Sequence, residues 1–110
     1  MEFVKNMQPG VVLKLENMIE VRRGEIVSMA LSSVDNAQIV LFALSAGELI
    51  SEEAYFGDTM YQVLSGKVAL ESGGTRHQLS AGDAMAFSAH QGHALYVVDD
   101  SKLLQIILNK

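Results

Sequence analysis

The sequence predicts an all-β fold, a sandwich or barrel of antiparallel strands, from two observations. Short apolar stretches alternate with polar residues, which is the period of a strand with one buried face. Turn residues separate these stretches at regular intervals, and the chain has 9 glycines but only 1 proline. No linker, repeat or low-complexity tract interrupts the series, so we expect a single domain over residues 1–110.

Four segments in the first half of the chain are predicted to be extended: residues 11–15, 19–21, 27–31 and 39–44. Residues 39–44 are apolar on both faces, which fits either a strand covered on both sides or a short buried helix. The β-branched residue Ile39 at its start, its short length and Gly47 just beyond its end favour the strand.

The second half contains six further candidate strands: residues 60–64, 67–70, 75–79, 84–87, 93–98 and 103–108. Gly73 and Gly74 separate two of them, and a two-glycine turn provides the positive φ angles of a tight hairpin. Asp99, Asp100 and Ser101 are predicted to form another turn.

Composition narrows the possible functions. The formal charge of -5 argues against binding to nucleic acid or to an anionic membrane surface, both of which call for clustered Lys and Arg. The absence of cysteine excludes disulfides, thiolate metal sites and a cysteine nucleophile. Residues 1–9 do not have the form of a signal peptide, and no apolar run reaches the ~20 residues of a membrane helix. The expected location is the cytoplasm.

Two glycine-framed segments stand out, residues 47–66 and residues 82–97. The first begins at Gly47 and closes with Val63-Leu64-Ser65-Gly66, and the second opens with Gly82-Asp83 after Ser80-Ala81. In these residues and their spacing the chain resembles the cupin superfamily. The resemblance implies a double-stranded β-helix, also called a jelly roll or cupin barrel.

Most metal-binding positions of the two motifs hold other residue types here. The two histidines and the glutamate of the first motif fall on Glu53, Tyr55 and Thr59, and His93 alone keeps the histidine of the second motif. His90 stands at a glycine position of that motif. Cupins with the full set hold a divalent ion through three imidazoles and one carboxylate. The resemblance therefore implies an incomplete site, with no cofactor assigned beyond a divalent transition metal held weakly by His93 and Glu53.

Strand alternation predicts which side chains face the barrel interior. An inward His93 places Leu95 and Val97 on the same side of its strand, and an inward Thr59 does the same for Tyr61. The predicted ligand pocket comprises Glu53, Tyr55, Thr59, Tyr61, His90 and His93. The alternatives are a core histidine at position 93, hydrogen-bonded to a carbonyl group, and a merely exposed His90.

Three functions follow from these expectations. The leading one is a cupin-fold protein that binds a small organic ligand in the barrel, since a mostly apolar pocket with a few polar groups is typical of such sites. The second is a metal-dependent cupin enzyme, an isomerase or oxygenase acting on a small sugar, acid or phenolic compound. The third is an interaction module whose interior is filled by side chains. A homodimer is expected, paired through a sheet edge with residues 103–108 as the candidate strand.

Overall fold

Seven antiparallel strands make up the fold in the computed structural model, which describes residues 3–109. The strands are β1 (Ile26–Val34), β2 (Ala37–Leu44), β3 (Leu49–Glu53), β4 (Asp58–Ser72), β5 (Thr75–Ser80), β6 (Ala84–Phe87) and β7 (His93–Leu108). The helical structure described is a single 3-10 turn, Leu15–Asn17, and within residues 3–109 no helix is long and apolar enough to cross a membrane. The all-β prediction is confirmed, including the strand at residues 39–44.

Two long strands, β4 and β7, belong to both sheets of the barrel. The first half of β4 pairs with the second half of β7, and β6 and β2 flank this pair, with β1 beyond β2. We call this sheet A. The second half of β4 pairs with the first half of β7, flanked by β5 and β3. We call this sheet B. The rolled antiparallel arrangement is a double-stranded β-helix.

The predicted breaks at residues 65–66 and at residues 99–101 are not chain reversals. Both lie inside continuous strands, at the corner where β4 and β7 pass from one sheet to the other, and the β4–β7 register shifts there. Gly66 has a φ of 87°, and a Cβ atom at this position would overlap the carbonyl oxygen of Asp100. The predicted turn at residues 99–101 is therefore wrong, because its turn-forming residues make a bulged corner instead.

The predicted strands at residues 11–15 and 19–21 are not formed: residues 15–17 make the 3-10 turn, and Ile19 lies in a bend that follows it. The segment instead lies across the outer face of sheet A. Its apolar residues pack there on strand residues, in a cluster built around Ile19, Leu31, Leu41 and Ala43 with Leu15, Met18, Val21, Leu64 and Leu104 beside them. Burial against a sheet face produces the same apolar spacing as strand pairing, and the sequence pattern does not separate the two.

The N-terminal segment also covers the free edge of β1. The backbone N–H of Lys5 donates to the carbonyl of Leu31 at 2.7 Å, and the side-chain amide of Asn6 donates to the carbonyl of Ala30 at 2.7 Å. These contacts meet β1 at its bulge between Ala30 and Ser32. An edge with occupied hydrogen-bonding groups is a poor template for pairing with another chain.

The second half of β7 lies in the middle of sheet A. It pairs with β2 on one side and β4 on the other over residues 101–108. The expectation that residues 103–108 offer a free edge for dimer formation is therefore wrong. The hairpin at Gly73 and Gly74 is confirmed, with φ angles of 58° and 81° at the junction of β4 and β5.

Candidate functional site

Four of the six predicted pocket residues, Glu53, Tyr55, Tyr61 and His93, converge at one end of the barrel interior, where β3, β4 and β7 meet. His93 is the first residue of β7 and is 3% exposed. Glu53, the last residue of β3, is its direct neighbour in the β3–β7 ladder. As alternation predicts, Leu95 and Val97 share the buried side of β7 with His93, and Tyr61 shares the buried side of β4 with Thr59.

Three aromatic rings surround the imidazole of His93. Phe87 stacks on it with a centroid distance of 4.2 Å and an interplanar angle of 5°. Tyr61 meets it edge-on at 5.4 Å, and the ring of Tyr55 lies at 5.8 Å, tilted by 40°. Side chains therefore fill the space around His93.

Both ring nitrogens of His93 take part in hydrogen bonds. Nδ1 lies 3.1 Å from the carbonyl oxygen of Gln91, and because a carbonyl only accepts, Nδ1 carries the proton. In the tautomer with its proton on Nδ1, Nε2 accepts a hydrogen bond from the Tyr61 hydroxyl, 2.7 Å away. The Tyr61 oxygen in turn accepts from the side-chain amide of Gln105 at 3.2 Å. The result is one chain of three hydrogen bonds, which runs from Gln105 through Tyr61 and His93 to the carbonyl of Gln91.

Glu53 and Tyr55 form a second hydrogen-bonded pair at the mouth of the barrel. The Tyr55 hydroxyl donates to Oε2 of Glu53 at 2.6 Å. The carboxylate is exposed, whereas Tyr55 is half-buried. Burial, and after it the hydrogen bond to Glu53, raises the pKa of the Tyr55 hydroxyl. Tyr55 therefore presents a protonated hydroxyl near neutral pH.

Two further residues flank the mouth from outside. The ring of Phe56 is 88% exposed and meets the imidazole of His90 edge-on at 5.6 Å. The backbone N–H of His90 donates to the carbonyl of Tyr55 at 2.7 Å, which ties the loop before β7 to the loop after β3. His90 is exposed and rests on Phe56.

His90 has a φ of 66°, in the left-handed region that favours glycine. This is the position where the second motif has a glycine. The backbone at this position therefore has a conformation that favours glycine, although the residue here is histidine.

Thr59 is buried but lies apart from the hydrogen-bonded groups. Its hydroxyl has a long contact of 3.5 Å to the carbonyl of Gly57. It borders a separate apolar cavity of about 280 Å³ shared with Met60, Ile106 and Leu108 on the side of sheet A. Thr59 is therefore not part of the Glu53–Tyr55 mouth.

Two residues at the site, Gln105 and Phe87, were not predicted. Gln105 is the one polar side chain in the apolar run 103–108 and shares the inward side of β7 with Leu103. A buried polar residue in such a run calls for a hydrogen-bond partner, so this signal was available. Phe87 ends β6, and nothing in its local sequence distinguishes it from an ordinary core residue.

The donors present do not fit a transition-metal centre. The one lone pair of His93 already accepts the Tyr61 hydroxyl proton, and Thr59 is a poor neutral ligand. A tyrosine binds a metal best as phenolate, and burial raises the pKa of both Tyr55 and Tyr61, which disfavours that form. Among residues 3–109 no group of three or more His, Cys, Asp or Glu side chains is placed to hold an ion.

Known proteins resemble this chain at the level of structure. No family model matches it, and no curated protein matches its sequence significantly. The crystal structure of a cupin superfamily protein from Desulfitobacterium hafniense DCB-2 matches with a TM-score of 0.93 and 37% sequence identity, over 97% of this chain and 98% of that protein. The chain belongs to the cupin superfamily.

Two other solved structures extend the comparison. A conserved protein of unknown function from Streptococcus pyogenes matches with a TM-score of 0.95 and 24% identity, over 100% of this cupin and 96% of that protein, which shows a shared fold. A cupin 2 conserved barrel domain protein from Leptotrichia buccalis matches with a TM-score of 0.88 and 26% identity, over 94% of this cupin and 50% of that protein. The resemblance inferred from the two motifs is confirmed.

Proposed function

We propose that this cupin binds a small organic ligand at the mouth of its barrel without a resident metal ion. The observation that carries the proposal is the pair formed by the half-buried Tyr55 hydroxyl and the exposed Glu53 carboxylate, 2.6 Å apart. Such a pair offers a charged acceptor beside an aromatic surface, and the exposed ring of Phe56 adds to that surface.

The geometry suits a ligand that donates hydrogen bonds and has a flat apolar part. Hydroxyl groups of the ligand would donate hydrogen bonds to the Glu53 carboxylate. Hydrogen bonds to a charged acceptor are stronger than those between neutral groups. An aromatic ring would pack against Tyr55 and Phe56. A hydroxylated aromatic compound meets both requirements, whereas a sugar meets only the first.

Saturation-transfer NMR with catechol, glucose and benzoate as probes tests the proposal. We expect catechol to bind, and Glu53→Gln and Tyr55→Phe each to weaken binding by about tenfold or more. Tyr96→Phe is the matched control, because Tyr96 lies under Arg76 on the outer face of sheet B. Failure of all three probes to bind, or binding of catechol by both mouth variants as tight as by the unaltered protein, would reject the proposal.

The alternative function, a metal-dependent isomerase or oxygenase, has less support from the geometry. His93 has no free nitrogen to act as a ligand or a base, since Nδ1 donates to Gln91 and Nε2 accepts from Tyr61. Glu53 remains as a carboxylate near the mouth. Metal-stimulated turnover of a sugar, acid or phenolic substrate that falls steeply in Glu53→Gln would establish the enzyme instead.

We also propose that a second copy of the chain pairs with this one through β6. Among the described residues, β6 has a strand partner only on its β4 side. The apolar cavity beside it is lined by Met60, Ala86 and Leu108, of which Leu108 is 57% exposed. The one carboxylate at its rim, Asp58, already accepts from the backbone N–H of Ala89 at 2.8 Å.

A second copy suits this surface better than an unrelated partner because a free edge strand can pair antiparallel with its own copy about a two-fold axis. In such a dimer the two apolar cavities would face each other. The carboxylate at the rim of each cavity, Asp58, would add little repulsion because it already accepts a hydrogen bond from the Ala89 N–H. Of the three other outer edges, β1 is covered by Lys5 and Asn6, β5 presents polar side chains, and the short β3 ends in two glutamates.

A further inference from the structure

The hydrogen bond between Tyr61 and His93 affects whether a metal ion can bind to His93. A neutral imidazole protonated at Nδ1 has a single lone pair, on Nε2, and this is the lone pair that a metal ion uses. In this barrel the same lone pair accepts the Tyr61 hydroxyl proton at 2.7 Å. A metal ion and the hydroxyl therefore compete for one position.

Tyr61 is held firmly in that position. Its side chain is 4% exposed, its oxygen accepts from Gln105 at 3.2 Å, and its ring packs edge-on against Phe87 at 6.2 Å. To leave His93, the hydroxyl would lose both partners inside an apolar core, where an unpaired polar group costs about 1–3 kcal/mol.

The surroundings of the pair do not indicate a missing ion. Within residues 3–109, every buried side-chain nitrogen and oxygen has a hydrogen-bond partner. A barrel that had lost a metal but otherwise kept its metal-binding histidine unchanged would leave that imidazole nitrogen without a partner. Here the partner is Tyr61. It lies on β4, two residues after Thr59, which stands where the first motif has its glutamate.

We propose that Tyr61 is the residue that excludes divalent transition metals from this barrel, by occupying the metal-binding lone pair of His93. Loss of the motif ligands at positions 53, 55 and 59 is then only half of the change. Restoring those ligands alone would leave metal binding weak, because the Tyr61 hydroxyl would still occupy Nε2 of His93. This inference deepens the proposed metal-free function and rests on it.

The test uses divalent cobalt as the probe and three variants of the full chain. The first variant restores the donor types of the motif through Glu53→His, Tyr55→His and Thr59→Glu. The second adds Tyr61→Phe, and a third adds Tyr96→Phe to the first as the matched control. Cobalt affinity is read from its visible absorption bands, and circular dichroism verifies folding.

We expect the variant with Tyr61→Phe to bind cobalt about tenfold or more tightly than the other two, the size of effect usual for a group that acts on a metal ligand. Equal affinity in all three variants would overturn the proposal. This outcome does not depend on whether catechol, glucose or benzoate binds, so it is separate from failure of the proposed function.

A measurement on the unaltered protein covers the case in which the variants do not fold. In a nitrogen-15 imidazole spectrum, His93 should show the tautomer protonated at Nδ1, and its Nε2 signal should not move when zinc is added. The exposed His77 and His90 should respond first. A zinc-induced shift of His93 Nε2 at lower zinc concentration than those of the other two histidines would contradict the proposal.

Discussion

The hydroxyl of Ser101 is hydrogen-bonded to both backbone groups of Lys67. It accepts from the Lys67 N–H at 2.9 Å and lies 3.2 Å from the Lys67 carbonyl oxygen, with a shorter contact of 2.6 Å to the carbonyl of Asp99. Ser101 is fully buried. One side chain thus satisfies the backbone where the β4–β7 ladder is interrupted.

Ser101→Ala should therefore destabilise the protein by about 1–3 kcal/mol, because the Lys67 N–H loses its acceptor in a partly buried position. Urea denaturation gives the free energy of unfolding. Ser28→Ala on the exposed face of β1 is the control and should change it by less than about 0.5 kcal/mol. Equal effects of the two substitutions would show that the corner does not depend on Ser101.

Gly66→Ala should destabilise the same corner more than Ser101→Ala does. Its Cβ atom would overlap the Asp100 carbonyl and the Ser101 hydroxyl, and the backbone is held at a φ of 87°. Gly82→Ala is a matched control, with a φ of 91° but open space around its Cβ. The difference in unfolding free energy between Gly66→Ala and Gly82→Ala measures the cost of the steric overlap. Equal values would contradict the close approach of Gly66 to the Asp100 carbonyl.

Stability should fall as the pH rises above about 10, the ordinary pKa of tyrosine. Burial raises the pKa of Tyr61 and of Tyr55 above that value in the folded state. The unfolded chain then releases protons at lower pH than the folded chain, so alkali favours unfolding. Below pH 10 both states keep these protons and the contribution is fully present.

The measurement is urea denaturation at a series of pH values, with absorbance at alkaline pH reporting phenol ionisation. Tyr61→Phe should make the decline with pH shallower, although it lowers stability at neutral pH. An unchanged slope in this variant would mean that Tyr61 does not contribute to the alkaline loss.

His90→Gly should stabilise the protein by about 0.5–1 kcal/mol, because glycine adopts a φ of 66° without the penalty that other residues incur. Thermal unfolding measures the change. The control is His77→Gly in the extended strand β5, which should be destabilising. If both substitutions destabilise equally, the contact between His90 and Phe56 outweighs the backbone strain.

The proposed pairing through β6 predicts a dimer in light scattering. Met60→Glu and Ala86→Glu each place a carboxylate in the apolar cavity beside β6 and should yield a monomer. Ser28→Glu adds the same charge on the exposed side of β1, away from β6, and should leave the dimer intact. A monomer before any substitution would contradict the pairing.

Much of the fold follows from the sequence because strand period and turn chemistry are local properties. They identify β2, β5 and β6 nearly at their observed bounds, and the first part of β1, which continues to Val34. They fail at Gly66 and at residues 99–101, because turn-forming residues make a corner rather than a reversal when partner strands continue on both sides. They fail also at residues 11–15, where the apolar spacing reflects packing on the face of a sheet and not pairing with a strand. The strand β3 was not predicted at all.

The site was predictable in part for the same reason. Alternation places Tyr61 and His93 inside, since each residue's side depends only on its own strand. The bond between them joins β4 to the start of β7 and depends on how the chain rolls, which no local pattern encodes. The contribution of Gln105 is of the same kind.

The passage of β4 and β7 through both sheets determines how the barrel comes apart. Neither sheet can separate from the other as an intact layer, because each contains half of the same two strands. Slow amide exchange should consequently extend across both layers with nearly one opening free energy, and only the N-terminal segment and the mouth loops should exchange independently. The molecule unfolds as a single cooperative unit.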